Sequence, residues 1–172
     1  GQCRDLELRV PGDGHHVTSL VRKEQQFGDI EEVGGRPVLV DLENTTSHQL
    51  AEAIGDADAV VFAAGSGPGS GAARKESVDH QGAVALVEAA KQRNVAHYVM
   101  VSSMGADAEH EGDEVFDAYL RAKGQADDAL RSSGLGYSID RPTSLTDDDP
   151  VGTGTLSPDA DGESISRSDV GA

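Results

Sequence analysis

The sequence predicts an α/β fold, a doubly wound parallel sheet with helices on both faces that is incomplete at its amino terminus, in a single domain of residues 1–172. Three observations lead there. Short β-branched runs alternate with stretches of helical period. That rhythm means strand–helix–strand units, whose parallel strands need cover on both faces. The length suits one core, and neither an internal repeat nor a second domain is visible.

Residues 1–13 are atypical. Leu6, Leu8 and Val10 alternate with charged residues as a strand would, but only Pro11-Gly12-Asp13-Gly14 separates them from the next strand. Four residues cannot make a parallel crossover, so any pairing there would be a hairpin. The regular strands follow at 17–21, 37–42, 59–64, 97–103 and 137–140. Leu50, Ala51 and Ile54 mark a short helix. Val78, Ala83, Ala85, Leu86 and Ala89 mark a longer one, and Val115, Tyr119, Ala122, Ala126 and Leu130 form the apolar stripe of a third, with Gly134 at its left-handed cap. Residues 143–164 turn rich in Gly, Pro, Asp and Thr, a substrate-side loop region with a weak strand signal at Thr155 and Leu156. Ile165 to Val170 then opens a helix with Ser168 as its cap, the start of a carboxyl-terminal piece that the sequence does not complete.

Composition narrows the function. Fourteen Lys and Arg against 31 Asp and Glu leave a net charge of −17, a field that repels a phosphate backbone and excludes a nucleic-acid binder. With one Cys there is neither an intramolecular disulfide nor a Cys-based zinc set, which fits a reducing cytoplasm. The six His lack metal-ligand spacing, so no metal site is expected. No apolar run reaches the roughly 20 residues of a membrane helix, and no basic-then-apolar leader opens the chain. Dispersed carboxylates and a preference for Arg over Lys resemble the hydrated acidic surfaces of cytoplasmic proteins from salt-loving archaea.

Several motifs carry chemistry. Gly67, Gly69 and Ala72 satisfy a G-x-G-x-x-G/A pattern between a strand and a helix. The unit that contains them ends in Ser102-Ser103 rather than in an acid or arginine, which argues against a primary pyrophosphate loop. A phosphate-loop reading also fails, because Arg74 stands where lysine is needed. Tyr119 and Lys123 form a Y-x-x-x-K on one helical face. A nearby ammonium favours phenolate, so such a tyrosine can exchange a proton with a carbonyl or alcohol. Ser102 and Ser103 end the preceding strand, where open α/β sheets bind ligands. Arg22-Lys23 ends the strand at 17–21, where an acid would hold an NAD ribose and a cation instead accommodates a 2′-phosphate. Asp140 is an acid in an apolar strand, either at its exposed end or paired with Arg141.

Together these blocks carry a resemblance. Val38-Leu39-Val40-Asp41-Leu42, Ala59 to Gly67, Val78-Asp79-His80-Gln81-Gly82-Ala83, Tyr98 to Asp107, Tyr119 to Asp127, Arg141-Pro142 and Ile165 to Val170 resemble the atypical short-chain dehydrogenase/reductases, similar to the NmrA-like and biliverdin/flavin-reductase-like groups. The likeness runs in order over residues 15 to 172. It implies a Rossmann fold and binding of NADP(H), with NAD as the other possibility. It also implies roles: Arg22 on the 2′-phosphate, Asp41 and Leu42 on the adenine, and Ala63, Ala64 and Gly65 on the ribose and diphosphate. Ser103, Tyr119 and Lys123 would be the reactive group, Ser102 and Lys123 would also touch the cofactor, and Pro142 and Thr143 would lie beside the nicotinamide.

Two departures stand out. The family opens with a central strand and a glycine-rich turn, absent from a chain that begins Gly1-Gln2-Cys3-Arg4, so the expectation is a fragment or a disturbed reading frame. Thr143-Ser144 stands where relatives tend to carry Gly, narrowing the nicotinamide pocket. Three functions remain open: a reductase of a small carbonyl or flavin-like acceptor, a non-catalytic NAD(P)H-sensing binding protein, and an incomplete chain with impaired cofactor binding. The substrate and the oligomeric state are not legible.

Overall fold

A computed structural model describes residues 14–67, 69–155, 157 and 164–171. In chain order the elements are β1 (Thr18–Val21), a 3-10 turn (Glu24–Gln26), α1 (Phe27–Glu32), β2 (Arg36–Leu39), α2 (Ser47–Ile54) and β3 (Ala59–Phe62). There follow α3 (Ala72–Arg74), a π-helical stretch (Lys75–Gly82), α4 (Ala83–Arg93), β4 (His97–Val101), α5 (Val115–Arg131) and β5 (Gly136–Asp140). The last elements are β6 (Leu145–Thr146), β7 (Ile165–Ser166) and α6 (Arg167–Val170). The expected strand over Leu6 to Val10 lies outside the described residues, as does Leu156.

The chain forms two compact units, Gly1–Val40 with Pro142–Ala172, and Asp41–Arg141. In the first, β1 and β2 pair in parallel, Thr18 opposite Arg36 and Val21 opposite Leu39. β6, inside the segment that reads as loop, forms a second parallel pair with β7, which takes the first two residues of the stretch that reads as a helix. The cap of α6 is Ser166, whose hydroxyl accepts the Asp169 N–H at 3.0 Å, and not Ser168, which falls inside the helix. α1 escapes sequence reading because its six residues bury only Ile30, too few to display a period.

The second unit is a three-stranded parallel sheet in the order β3-β4-β5, with Phe62 opposite Met100 and Val101 opposite Asp140. Consecutive parallel neighbours demand helical crossovers; the helical segment ending in α4 links β3 to β4, and α5 links β4 to β5. They cover the face that carries Val60, Phe62, Tyr98 and Met100, all buried, whereas Val61 on the other face is 44% exposed. Leu86, Val87, Leu120 and Leu130 complete the core from the helix side. Each such side chain removed from water contributes about 1.5–3 kcal/mol.

Local chemistry trims the elements. The ladder of β2 runs on as far as the Val40 N–H, which reaches the Val21 carbonyl at 2.8 Å. Asp41 then accepts from the Glu43 N–H and the Asn44 amide at 3.1 and 2.7 Å and turns the chain away, so Asp41 and Leu42 lie beyond the strand that was expected to hold them. Thr46 caps α2 in a reciprocal box with Gln49. Gly82 meets Leu42 so closely that a Cβ would sit 3.3 Å from the leucine. Val115, expected in the apolar stripe of α5, is 46% exposed because it occupies the first turn, ahead of the buried run from Leu120 onward.

Candidate active site

Ser102 prolongs the β4–β5 ladder by donating its N–H to the Asp140 carbonyl at 2.7 Å, which drives its side chain inward. The Ser102 Oγ is buried and has no hydrogen-bond partner. Ser103 follows, half-buried, with its hydroxyl donating to the Met104 carbonyl at 3.2 Å. The chain then turns at Gly105 and runs across α5, where the Asp107 N–H meets the Leu120 carbonyl at 3.2 Å. Gly124 makes this crossing possible, since a Cβ there would collide with the backbone of Asp107 and Ala108. The crossing lays Ser103 against Tyr119.

Tyr119 is half-buried on α5. Burial pushes its phenol above the ordinary tyrosine value, a hydrogen bond with Ser103 works the other way, and the carboxylates of Asp79 and Asp127 add to the upward push. The phenol is therefore held neutral and the lowered phenol expected from the Y-x-x-x-K spacing is not what burial produces. Phe116 stacks on the ring at 5.9 Å, and the Lys75 ammonium lies 5.0 Å from the ring centre while donating to the Gly67 carbonyl at 3.2 Å.

Lys123 is only 3% exposed. It is tolerated there because Nζ donates to the Val101 carbonyl at 3.0 Å, lies 3.9 Å from Asp79 Oδ1 and sits over the Phe62 ring at 5.5 Å. Burial lowers its ammonium below the usual lysine range, Asp79 and Asp127 pull it back up, and Lys75 opposes them. Asp127, one turn further along α5, is buried and receives the Arg141 guanidinium. Arg141 thus serves Asp127, and Asp140 is left half-buried with burial raising its carboxyl.

Asp79 is the group that the sequence shows without revealing its use. The π-helical stretch turns it inward to zero exposure, and one oxygen accepts the Ser66 N–H at 3.2 Å. The other has no hydrogen-bond partner and would lie 3.2 Å from a Cβ at Gly65. The loop after β3, with Ala63 and Ala64 half-buried and Gly65 exposed, is thereby tied to the floor beneath Lys123. Gly67 and Gly69 adopt left-handed backbone with φ of +81° and +76°. An acid beside the apolar stripe at Val78 and Ala83 was the available signal for Asp79; nothing in the spacing marked Lys75.

The structure therefore gathers Ser102, Ser103, Tyr119 and Lys123, and joins Ala63 to Gly65 to them through Asp79. Asp41 and Leu42 stand at the turn after β2 in the same unit. Arg22, Pro142 and Thr143 belong to the first unit. Arg22 is exposed just past β1 and makes no hydrogen bond or ion pair among the described residues, whereas Pro142 is buried and Thr143 half-buried. Among the described residues no three His, Cys, Asp or Glu side chains converge as metal ligands, and no helix is long and apolar enough to cross a membrane.

Comparison with known proteins places this geometry. Residues 7–172 match the model of a family described as NAD(P)H-binding. A protein of Bacillus subtilis called an uncharacterized sugar epimerase is 36% identical over 167 residues, 97% of this chain and 78% of its own length. The solved structure of a putative NAD-dependent epimerase/dehydratase from Bacillus halodurans is 37% identical and superposes with a TM-score of 0.88 over 99% of this chain and 79% of that one. An anaerobilin reductase from Escherichia coli O157:H7 shares the fold at 20% identity, with a TM-score of 0.77 over 98% of this chain and 80% of that one. The architecture is Rossmann-like, and the relatives are oxidoreductase- and epimerase-like.

Proposed function

Because the chain belongs to the NAD(P)H-binding family, we propose that it is an NADP(H)-dependent reductase of a small carbonyl or flavin-like acceptor, with Tyr119 as proton donor. The observation that carries this reading is the neutral phenol of Tyr119 beside the Ser103 hydroxyl, past the carboxyl end of β4. The residues present fit a dinucleotide. The loop from Ala63 to Gly65 has an exposed glycine for close backbone approach, and the buried Ser102 Oγ is a polar atom with no protein partner. The cofactor supplies the hydride. Ser103 orients the acceptor oxygen by hydrogen bonding, and Tyr119 delivers a proton to it. Lys123 holds its ammonium at the carbonyl of Val101, the last residue of β4 before Ser102 and Ser103. By the resemblance, Pro142 and Thr143 would serve the nicotinamide, and Asp41 and Leu42 would serve the adenine. Arg22, exposed and unpaired among the described residues, receives a 2′-phosphate, which favours NADP over NAD.

A second reading takes the epimerase names of the relatives at face value: with a dinucleotide bound, the site would support reversible hydride exchange with no net cofactor consumption. That exchange begins with Tyr119 as a base, and a phenol raised by burial and two carboxylates resists the role. The distinguishing experiment follows NADPH oxidation against a panel of small carbonyls and flavins, in parallel with epimerisation of nucleotide sugars. Turnover of NADPH supports the reductase; epimerisation without net NADPH consumption overturns it.

A further inference from the structure

We infer that Asp79 is a positioning residue that joins the loop after β3 to Lys123, an inference that rests on the cofactor site described above. Three features of one side chain lead there. It is a fully buried carboxylate side chain, a placement that is costly unless polar or charged groups answer it. What answers it is divided between two elements: the Ser66 N–H of the loop on Oδ2 at 3.2 Å, and the Lys123 ammonium 3.9 Å from Oδ1. Its position is bought by a π-helical stretch, since Lys75–Gly82 interrupts what would otherwise be one α-helix from Ala72 to Arg93.

Asparagine would satisfy the loop N–H equally well, so the charge must act elsewhere. Lys123 is where it acts. The groups facing that ammonium are Asp79 and Lys75 from the π-helical stretch, Asp127 from its own helix, the Val101 carbonyl from β4 and the Phe62 ring from β3. Of the two carboxylates, Asp127 is already occupied by Arg141, with Nε and Nη2 both on its Oδ2. Asp79 has no arginine and is left as the principal counter-charge. One carboxylate thus holds the loop backbone where a diphosphate would pass and supports the charged form of Lys123. Without it, the ammonium would face desolvation supported chiefly by a carbonyl.

The test separates the two tasks in the full chain. Lysine side chains are labelled with carbon-13 and nitrogen-15, the Lys123 signal is assigned by its loss in Lys123→Met, and its titration is followed by NMR. In Asp79→Asn the Lys123 midpoint moves to lower pH by about one pH unit or more. NADPH affinity, read from the cofactor's fluorescence, stays within about threefold because the amide oxygen still accepts the Ser66 N–H; Asp79→Ala loses about tenfold or more. An unchanged Lys123 midpoint in Asp79→Asn overturns the inference, as does equal affinity in the Asn and Ala variants. Absence of NADPH binding by the unsubstituted protein would sink the cofactor reading alone, and the Lys123 titration would still decide the charge coupling. Should Asp79→Asn not fold, the double variant with Lys123→Met removes the unanswered ammonium. Recovery of folding supports the coupling, and failure to recover overturns it.

Discussion

Arg141 grips a single oxygen of Asp127, with Nε and Nη2 donating to Oδ2 at 2.9 and 2.7 Å, while Oδ1 is buried without a hydrogen bond. This pair fastens the residue after β5 to the middle of α5, the helix that carries Tyr119 and Lys123. Arg141→Ala leaves a buried carboxylate with only Arg131 at 3.9 Å. Because the Arg141 side chain is 37% exposed, water softens the loss, and destabilisation of about 2 kcal/mol is expected in urea unfolding. Arg141→Lys recovers only part of it, since one ammonium cannot reproduce the paired donors.

Tyr119→Phe removes the proton donor and little else, because the ring contacts with Phe116 and Lys75 survive. NADPH binding by fluorescence should be unchanged, and kcat should fall by about 100-fold or more. A loss of binding equal to the loss of turnover would mean that the phenol holds the cofactor instead.

The raised phenol has a pH consequence. Tyr119 must be protonated to donate, and its folded value lies above the ordinary value of about 10. Activity should therefore persist through neutral pH and fall only in alkali beyond that value. The stability linkage has the same sign. Above about pH 10 the unfolded tyrosine ionises first, the native state holds more protons, and unfolding free energy falls as pH rises. Tyr119→Phe should flatten that decline in alkaline urea titrations.

Gly124→Ala sets helix propensity against packing. Alanine favours a helix interior by about 1 kcal/mol. Here its methyl group meets the backbone of Asp107 and Ala108, which cannot move without dragging Ser103 away from Tyr119. We expect a net destabilisation of about 2 kcal/mol by thermal or urea unfolding, accompanied by loss of turnover.

Arg22→Ala tests cofactor choice. NADPH should lose about tenfold or more in affinity, the scale of a charge-assisted hydrogen bond, while NADH is unaffected. Equal affinities for both cofactors in the unsubstituted protein would refute the assignment.

The alternation of strands and helices, the parallel class of sheet, and the association of Tyr119 with the Ser102-Ser103 strand end are legible in the order of residues alone. These follow from short-range signals: apolar period, β-branched runs, and a four-residue helical spacing. How the site is charged emerges only once the chain is folded. Whether Lys123 lies at an edge or inside, whether Arg141 serves Asp140 or Asp127, and which way the Tyr119 phenol moves all depend on burial and on partners distant in the chain. Asp79 shows the reason most directly. It stands 44 residues from Lys123 in sequence, and a helical period read along the chain could not foresee that a π-helical stretch would turn it inward to meet a lysine from another helix.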